Sequence, residues 1–117
     1  MAQPHPSTFP RAAGVLLHPT SLPGRYGVGD LGAGARVFVD WLHEARIGCW
    51  QVLPLVPPGP GGSPYASTSA FGGSSMLMDL DDLVVRGLLE RADIDGAGGG
   101  EAFSLDRVEL ARVVPWK

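Results

Sequence analysis

The sequence predicts an α/β protein built on parallel strands, and three observations support this fold class. Two short apolar runs, residues 14–18 and 49–55, have the length and composition of strands that are buried on both faces. A helical pattern lies between them, and the order strand, helix, strand is typical of the crossover that joins two parallel strands. Apolar residues make up 44% of the 117 residues, which is the composition of a globular protein.

The first half of the chain is expected to supply these strands and the helix between them. Residues 1–13 are predicted to form a flexible N-terminal arm, because they contain Pro, Ser and Gln without periodicity, and residues 14–117 are the folded region. Asp30 is expected to cap the helix, since a carboxylate accepts hydrogen bonds from the first helical N–H groups. Gly48 is the expected C-terminal stop. The apolar stripe of the helix comprises Leu31, Ala35, Phe38, Leu42 and Ala45.

The second half is expected to contain shorter elements. Pairing of the second strand should stop near Pro54, which has no N–H to donate. Residues 76–78 are a third, strand-like apolar run, and a short helical stripe of Leu80, Leu83, Val84 and Leu88 follows it. The Gly-rich residues 92–101 are predicted to be a flexible surface segment. Residues 106–117 begin an amphipathic pattern that ends without a cap or a partner element.

Three aspartates, Asp79, Asp81 and Asp82, crowd the start of the short helix. Such a trio raises a metal or acid–base hypothesis, but the positive end of the helix dipole explains the carboxylates more simply. Residues 93–96 faintly resemble a calcium loop but lack its later ligands and its terminal glutamate. The sequence therefore predicts no metal site.

Charge and cysteine content limit the partners and the compartment. The net charge of −3, without any cluster of Lys and Arg, predicts neither nucleic acid nor an anionic membrane as a partner. No run approaches the roughly 20 apolar residues that span a bilayer. Cys49 is the single cysteine; it is expected to be a buried thiol and cannot form an internal disulfide, which fits a reducing compartment. A cytoplasmic location is therefore predicted.

Residues 27–32 match the glycine fingerprint of dinucleotide-binding proteins and precede the helix. The fingerprint should follow its strand directly, yet residues 18–26 intervene. Asp30 would repel a pyrophosphate, and no acidic residue follows the second strand to hold a ribose hydroxyl. Nucleotide binding is therefore kept only as an alternative. It predicts that a dinucleotide raises the melting temperature of the chain.

The loop after the second strand, residues 56–73, is the main candidate binding site. It is too rich in Pro and Gly for a helix or a sheet, and the fixed φ of each proline limits its freedom before a ligand arrives. Tyr65 lies there among Ser63, Ser67, Thr68 and Ser69, and this mixture suits a polar ligand with apolar faces, such as a sugar. The alternative is a structural turn that Tyr65 covers. His18, at the end of the first strand, is a second candidate, although such a histidine more often bonds to loop backbone.

The apolar faces of these elements exceed what the rest of the sequence can cover. Parallel sheets need both faces covered, and a full (β/α)8 barrel takes about 250 residues. We therefore expect residues 14–117 to be the N-terminal part of a larger domain, or to pack against another chain.

Several blocks of sequence carry a resemblance to a known family. They are residues 14–24 (GVLLHPTSLPG), 27–32 (GVGDLG), 50–55 (WQVLPL), 63–65 (SPY) and 69–71 (SAF), with Ser67 and the final residues 112–117 (RVVPWK). In order and spacing these blocks closely resemble the opening of the 4-alpha-glucanotransferases, which are also called amylomaltases or disproportionating enzymes. The resemblance covers nearly the whole chain beyond residue 12.

This resemblance implies a (β/α)8 barrel that is incomplete in this chain. It also implies an enzyme that transfers α-1,4-glucan segments to the 4-hydroxyl of an acceptor with retention, through a glycosyl-enzyme formed on one carboxylate while a second protonates the leaving sugar. No metal or organic cofactor is implied. The family's catalytic carboxylates lie beyond Lys117, so no catalytic residue is assigned here, and the chain alone is expected to be inactive and to need the rest of the barrel.

The resemblance also implies the substrate contacts. Residues 63–65 are similar to the family's loop that lines the donor side of the cleft, while the end of the first strand would lie nearer the rim. Residues 58–62 read Pro-Gly-Pro-Gly-Gly where many members carry a Thr, a Tyr and an Asp, so a contact by that family tyrosine is not expected. The predicted substrate-binding residues are Tyr65, the main candidate, with Ser63, Pro64, Ser67, His18 and Ser21.

An alternative function belongs to a different class, a non-catalytic α/β module that binds glucan or packs on a partner chain. A folded, well-protected monomer would favour the module. Aggregation or molten behaviour would favour an incomplete barrel.

Overall fold

The strand–helix–strand unit is present as predicted. The structure, a computed structural model, describes residues 11–99, 103–104 and 107–117. Strand β1, Gly14–Leu16, pairs in parallel with strand β2, Cys49–Gln51, and helix α1, Ala33–Glu44, lies between them in the chain. Both strands are shorter than predicted, and pairing has ended before Pro54, as expected for a residue without an N–H.

The strands are less buried than the sequence predicted. The ring of Phe38 on α1 meets that of Trp50 on β2 edge-on, with centroids 4.9 Å apart, so the helix covers part of the sheet. Leu16 is nevertheless 59% exposed, and Cys49, expected to be a buried thiol, is also exposed. Both expectations are wrong because the sheet in the described part of the chain has two strands, so each strand lacks a neighbour on one side.

The start of α1 differs from the prediction. The N-cap residue is Gly32, not Asp30, and no side chain caps the helix. The Asp30 carboxylate instead accepts hydrogen bonds from the Gly32 N–H (3.1 Å) and from Lys117 Nζ (3.0 Å). Lys117, which is distant in sequence, therefore binds the Asp30 carboxylate that the local sequence pattern predicted to cap the helix. Leu31, predicted on the apolar stripe, lies before the helix and is exposed.

The end of α1 also differs, because the chain reverses before Gly48. Arg46 adopts a left-handed φ of 57°, and its N–H bonds to the carbonyl of His43 (3.0 Å). The Ile47 N–H bonds to the carbonyl of Leu42 (2.9 Å), which completes the pair of bonds of a Schellman motif. Ala45 is then the exposed C-cap residue and not a member of the buried stripe.

The elements of the second half are helical. The prediction of a strand at residues 76–78 is wrong. The chain forms a 3-10 turn there, Ser75–Leu77, which buries Met76 and Leu77, while Met78 is exposed. Helix α2, Leu80–Val85, follows as predicted. Asp79 Oδ1 accepts from the N–H groups of Asp81 (3.1 Å) and Asp82 (3.2 Å), which supports the helix-start interpretation of the aspartates.

The glycine-rich segment is more ordered than predicted. Helix α3, Arg91–Ile94, runs into a π-helical turn, Asp95–Gly99, and Ile94 is buried. Residues 100–101 of the predicted flexible segment lie outside the described residues, as do residues 1–10 of the predicted arm. Of that arm, Ala13 is fixed, since its carbonyl accepts from the Gly48 N–H (3.1 Å).

The main core lies away from the sheet, around helix α4, Leu110–Trp116. Val113 is fully buried against Val28 and Met76, and Phe103 and Leu110 pack around them. The expectation that the chain ends without a partner element is wrong, since Trp116 stacks on Tyr26 with centroids 5.5 Å apart. We call the group Tyr26, Val28, Met76, Val113, Trp116 and Lys117 the C-terminal cluster.

Candidate functional site

Two loops that leave the carboxyl ends of β1 and β2 enclose a cleft of about 170 Å³. The first is the turn after β1, and the second is the proline-rich loop after β2. Both were predicted to carry ligand contacts, because α/β proteins place their sites where parallel strands end. The cleft is lined by His18, Thr20, Ser21, Leu53, Val56, Pro58, Gly62, Pro64, Ser74, Met76 and Leu110.

The loop after β1 is a 3-10 turn, Pro19–Ser21, which His18 caps. His18 Nδ1 lies 2.7 Å from Thr20 Oγ1, and the Thr20 N–H donates to the same nitrogen at 3.4 Å. The Leu22 N–H closes the turn on the Pro19 carbonyl (3.0 Å). The imidazole is therefore held by its own loop, and its Nε2 has no hydrogen-bond partner among the residues that the structure describes.

Residues 27–32 contain three glycines, and Gly29 packs directly on this turn. The Gly29 N–H donates to the Thr20 carbonyl (3.2 Å). A Cβ at Gly29 would lie 2.2 Å from the Pro19 carbonyl oxygen and 2.4 Å from that of Leu22, so any side chain is excluded there. The Gly32 N–H, at the start of α1, is taken by Asp30. A Cβ at Gly27 would lie 2.5 Å from the Phe103 ring, and one at Gly32 would lie 2.4 Å from Asp79 Oδ2. Each glycine thus permits a close contact within the chain, which accounts for the fingerprint without a nucleotide.

Trp50 ties the ends of the two strands together. Its Nε1 donates to the Leu17 carbonyl (2.7 Å), and the Leu17 N–H donates to the Gln51 carbonyl (3.0 Å). The two loops therefore leave the sheet from a fixed relative position.

The loop after β2 is braced by its own backbone. It contains two 3-10 turns, Pro60–Gly62 and Pro64–Ala66. The Gly59 N–H donates to the Ser63 carbonyl (2.9 Å), and a Cβ at Gly59 would lie 1.9 Å from the Ala66 carbonyl oxygen. The prolines fix φ, and the glycine permits this close approach. The loop is therefore compact and is held by contacts within its own backbone.

Hydroxyl groups further along the loop stabilise its turns. Ser67 Oγ donates to the Ser69 carbonyl (3.0 Å) and accepts from the Ser69 N–H (3.2 Å). Ser69 Oγ accepts from the N–H groups of Phe71 (3.3 Å) and Gly72 (3.0 Å). The Ser67 hydroxyl proton is thus already engaged in the structure.

The predicted site residues fall into two groups. His18, Ser21 and Pro64 come together on the cleft, although they are distant in sequence. Ser63, Tyr65 and Ser67 belong to the same loop as Pro64 but do not line the cleft. Tyr65 is 74% exposed, so it does not act as a packed cover for the loop.

Two polar residues of the cleft, Thr20 and Ser74, were not among the predicted site residues. Thr20 holds the imidazole of His18, and a hydroxyl two residues after a histidine is a local signal that was available. Ser74 is buried in the cleft wall and carried no signal, since its neighbours along the chain are glycine and serine.

A second polar group lies apart from the cleft and links three segments. The Tyr26 hydroxyl donates to Asp81 Oδ1 (2.8 Å), and Arg91 Nη1 contacts both Asp81 Oδ1 and the Tyr26 oxygen at 2.7 Å. Burial and the bond to Asp81 raise the pKa of the Tyr26 phenol. Burial alone would raise the pKa of Asp81, but the hydrogen bonds from Tyr26 and Arg91 outweigh it and hold that pKa below its ordinary value. These groups fix α2 and α3 to the loop that carries Tyr26.

The end of the chain carries a buried ion pair. The Lys117 side chain is completely buried, and its Nζ donates to Asp30 Oδ2 and to the Met76 carbonyl, both at 3.0 Å. Nothing in the sequence around Lys117 indicated this contact, because the partners lie 87 and 41 residues away.

The described residues provide no evident metal centre. Within residues 11–99, 103–104 and 107–117, no three His, Cys, Asp or Glu side chains are grouped so that they could hold a metal ion. In the same part of the chain, no helix is both long and apolar enough to cross a membrane.

The chain is similar to proteins of one family. The family model described as 4-alpha-glucanotransferase matches residues 17–117. The 4-alpha-glucanotransferase of Thermus thermophilus is 50% identical over 109 residues, which cover 93% of this chain and 20% of the relative. The chloroplastic/amyloplastic 4-alpha-glucanotransferase of Solanum tuberosum is 48% identical over 107 residues, covering 88% of this chain and 18% of the relative.

A solved structure agrees with these relatives. The amylomaltase from Streptococcus agalactiae in complex with acarbose superposes with a TM-score of 0.79 at 40% identity, over 91% of this chain and 21% of that protein. This chain therefore spans about a fifth of the length of the relatives that it matches. Since the family model extends over most of the sequence, the chain belongs to the 4-alpha-glucanotransferase family.

Proposed function

We propose that this chain is the N-terminal part of a 4-alpha-glucanotransferase and that it supplies two barrel strands and the loop that contacts the glucan. The observation that carries the proposal is the position of Tyr65. A proline-braced loop holds its ring in solvent next to a cleft at the carboxyl ends of β1 and β2. An exposed aromatic ring on a fixed loop offers a flat apolar surface to the face of a glucose unit.

We call β1, α1, β2 and the neighbouring residues 52–56 and 70–73 the sheet region. Its exposed apolar side chains support an incomplete barrel. Leu16 on β1 and Phe71 near the end of the proline-rich loop are largely exposed, and an apolar groove runs between residues 52–56 and 70–73. A (β/α)8 barrel would cover these surfaces with the strands and helices that follow. The rest of the barrel is thus the partner that this chain requires.

Three carboxylates near these loops have structural partners. Among the residues that the structure describes, no Asp or Glu lines the cleft, whereas retaining transfer needs two carboxyl groups on either side of the scissile bond. Asp30 pairs with Lys117, Asp79 caps α2, and Asp81 pairs with Arg91. We propose that the nucleophile and the acid–base come from residues beyond Lys117, and that this chain contributes binding without bond cleavage.

A chimera tests the proposal. The segment of the Thermus thermophilus enzyme that matches this chain is replaced by this chain, and the product is incubated with maltotriose. We expect glucose and longer maltodextrins from the chimera and neither from the 117-residue chain alone. A chimera that melts cooperatively but is inactive, while the parent enzyme is active, contradicts the proposal.

Two Tyr65 variants of the chimera test the glucan contact. Removing the ring in Tyr65→Ala should raise KM about fivefold, since an aromatic contact is worth roughly 0.5–1.5 kcal/mol beyond its buried area. Tyr65→Phe keeps the ring and should retain nearly all of the affinity. An equal loss in both variants would indicate a hydrogen bond from the hydroxyl in place of ring packing.

A second candidate function is a non-catalytic module that binds glucan by itself, and the C-terminal cluster favours it. Val28, Met76 and Val113 form a closed core without any further chain. A monomeric chain with protected amides in β1 and β2, retarded by amylose in a native gel, would support the module. Protection confined to the C-terminal cluster would support the incomplete barrel.

The compartment is part of the proposal, and we place the protein in the cytoplasm. The single, exposed Cys49 thiol is compatible with a reducing environment. The name of the potato relative assigns that protein to the chloroplast or amyloplast, so the location differs within the family. Fractionation of the source cells tests this prediction.

A further inference from the structure

The two ring nitrogens of His18 are in different situations, and the difference points to a ligand. Nδ1 is engaged by Thr20, whereas Nε2 is buried and has no hydrogen-bond partner within the described part of the chain. Building on the proposed function, we propose that the Nε2–H group of His18 donates a hydrogen bond to a hydroxyl oxygen of a glucan unit that enters the cleft. His18 is thereby a substrate-positioning residue.

The geometry around Nδ1 determines which nitrogen carries the proton. A backbone N–H group can only donate, and the Thr20 N–H points at Nδ1. Nδ1 therefore accepts, from this amide and from the Thr20 hydroxyl 2.7 Å away. In a neutral imidazole the proton then lies on Nε2, which makes Nε2 a donor with a fixed direction.

An unused donor in this place needs an explanation. Burial of a donor without an acceptor is unfavourable, and most buried polar groups in proteins are paired. In His18 the local loop satisfies one nitrogen twice and leaves the other without a partner. An acceptor that arrives with the ligand would remove this penalty in the bound state alone, so the interaction would contribute directly to binding.

The cleft has the chemistry of a site for a neutral sugar. One end is polar, with His18, Ser21 and the buried Ser74, and the walls are apolar, with Leu53 and Pro64 among them. None of the described residues that line it carries a charged carboxylate, ammonium or guanidinium group, so they offer an ionic ligand no counter-charge. A glucose unit matches this pattern, because its hydroxyl groups lie at the ring edge and its C–H groups form apolar faces.

The cleft also continues the predicted glucan-binding surface. Pro64, one of its walls, is the neighbour of Tyr65 in the same 3-10 turn, so a ligand on the tyrosine ring lies close to the mouth of the cleft. Nε2 has no exposed surface in the free chain, although His18 lines the cleft. The cleft must therefore widen slightly as the sugar enters.

Two substitutions separate the roles of the two nitrogens. In His18→Gln the side-chain amide places an N–H donor near the position of Nε2, and in His18→Asn the amide lies near Nδ1 and nothing reaches the position of Nε2. If Nε2 binds glucan, His18→Asn should weaken the binding of maltoheptaose about fivefold, whereas His18→Gln should retain most of it. If His18 acts only through its contact with Thr20, His18→Asn should retain binding and His18→Gln should weaken it. The melting temperatures of the two variants should then follow the same order as their binding.

The experiment is a titration of the full 117-residue chain with maltoheptaose, followed by nuclear magnetic resonance of the histidine ring nitrogens. We expect the free chain to show the Nε2–H tautomer of His18 and the Nε2 signal to move on binding, while His43, exposed on α1, does not move. A Nδ1–H tautomer, or a signal that stays in place while other signals titrate, overturns the inference. Tyr65→Ala distinguishes the two proposals: if it weakens binding while both His18 variants bind normally, only this inference fails. If maltoheptaose moves no signal of the 117-residue chain, the same titration is made on the chimera, and the absence of any shift there means that the glucan contact of the proposed function fails as well.

Discussion

The C-terminal cluster and the sheet region differ in how completely each covers its own apolar surface. In the cluster, Val113 has no exposed surface and Val28 is almost completely buried. In the sheet region, Leu16 on β1 and Val37 on α1 are largely exposed, and Phe71 is 99% exposed. The part of the chain that usually forms the core of an α/β protein is thus the part that remains open.

This difference indicates that one part of the chain provides most of its stability and that another part provides the surface for packing against further elements. The cluster joins residues 26–30, 76 and 113–117 and needs no further element, so it should account for most of the free energy of unfolding. Within the described residues, the sheet region has open strand edges and exposed apolar side chains, which the proposed barrel would cover. The cleft lies at the boundary, since Met76 and Leu110 line it from the cluster side and Leu53 from the sheet side.

The largest effect is expected at the buried ion pair of the cluster. Lys117→Met keeps the length of the side chain but leaves the Asp30 carboxylate, 14% exposed, without its counter-charge and the Met76 carbonyl without its donor. Loss of one partner of a buried pair costs about 3–5 kcal/mol, which is a large part of the stability of a small domain. Urea denaturation of the variant and the wild-type chain measures the loss.

The matched control is Arg86→Met. Arg86 pairs with Asp82 on the surface of α2 and is itself largely exposed, so its loss should change the free energy of unfolding by less than about 0.5 kcal/mol. Equal effects of the two substitutions would mean that the C-terminal cluster does not control stability. The double variant Asp30→Asn with Lys117→Met should recover part of the loss, because no unpaired charge remains.

A smaller effect on stability is expected from replacing one buried and one exposed valine with alanine. Val113→Ala leaves a cavity in the cluster and should cost about 2 kcal/mol, whereas Val85→Ala on α2, where the side chain is 85% exposed, should change stability by at most about 0.5 kcal/mol. Thermal unfolding of the two variants provides the measurement. A Val113 variant as stable as the Val85 variant would show that the cluster is loosely packed.

The same division explains which parts of the fold were predictable from sequence. The helical stripe of α1, the apolar runs of β1 and β2, and the aspartates at the start of α2 are local patterns, and the structure confirms the elements that they predict. The run at 76–78 was wrong as a strand, because a short apolar run has no periodicity that distinguishes a strand from a turn that enters a core. Asp30 was wrong as a cap because its partner Lys117 comes from the other end of the chain.

The candidate site was predictable to a similar extent. His18, Ser21 and Pro64 follow strand ends, and the topology brings strand ends together, so sequence order alone indicated that they lie close. The wall formed by Met76 and Leu110 depends on where α4 docks, and nothing local determines that position. The substrate-binding roles of all six residues remain predictions; three of them, Tyr65, Ser63 and Ser67, lie on the loop but outside the cleft.

The smallest effect concerns pH and the contact between Asp81, Tyr26 and Arg91. Hydrogen bonds hold the pKa of Asp81 below its ordinary value despite burial, so its contribution to stability is fully present above the pKa of an unfolded Asp, about 3.9, and is lost as pH falls through the folded value. The carboxylate is 41% exposed, so solvent screening limits the contribution to about 0.5–1 kcal/mol.

Asp81→Asn should therefore be less stable than the wild-type chain at pH 7, and the difference should shrink below pH 4. Asp40→Asn, at an exposed position on α1, is the control and should differ from wild type by less than about 0.5 kcal/mol at pH 7. A difference between Asp81→Asn and wild type that stays constant down to pH 2 would mean that the aspartate contributes by packing and not by its charge.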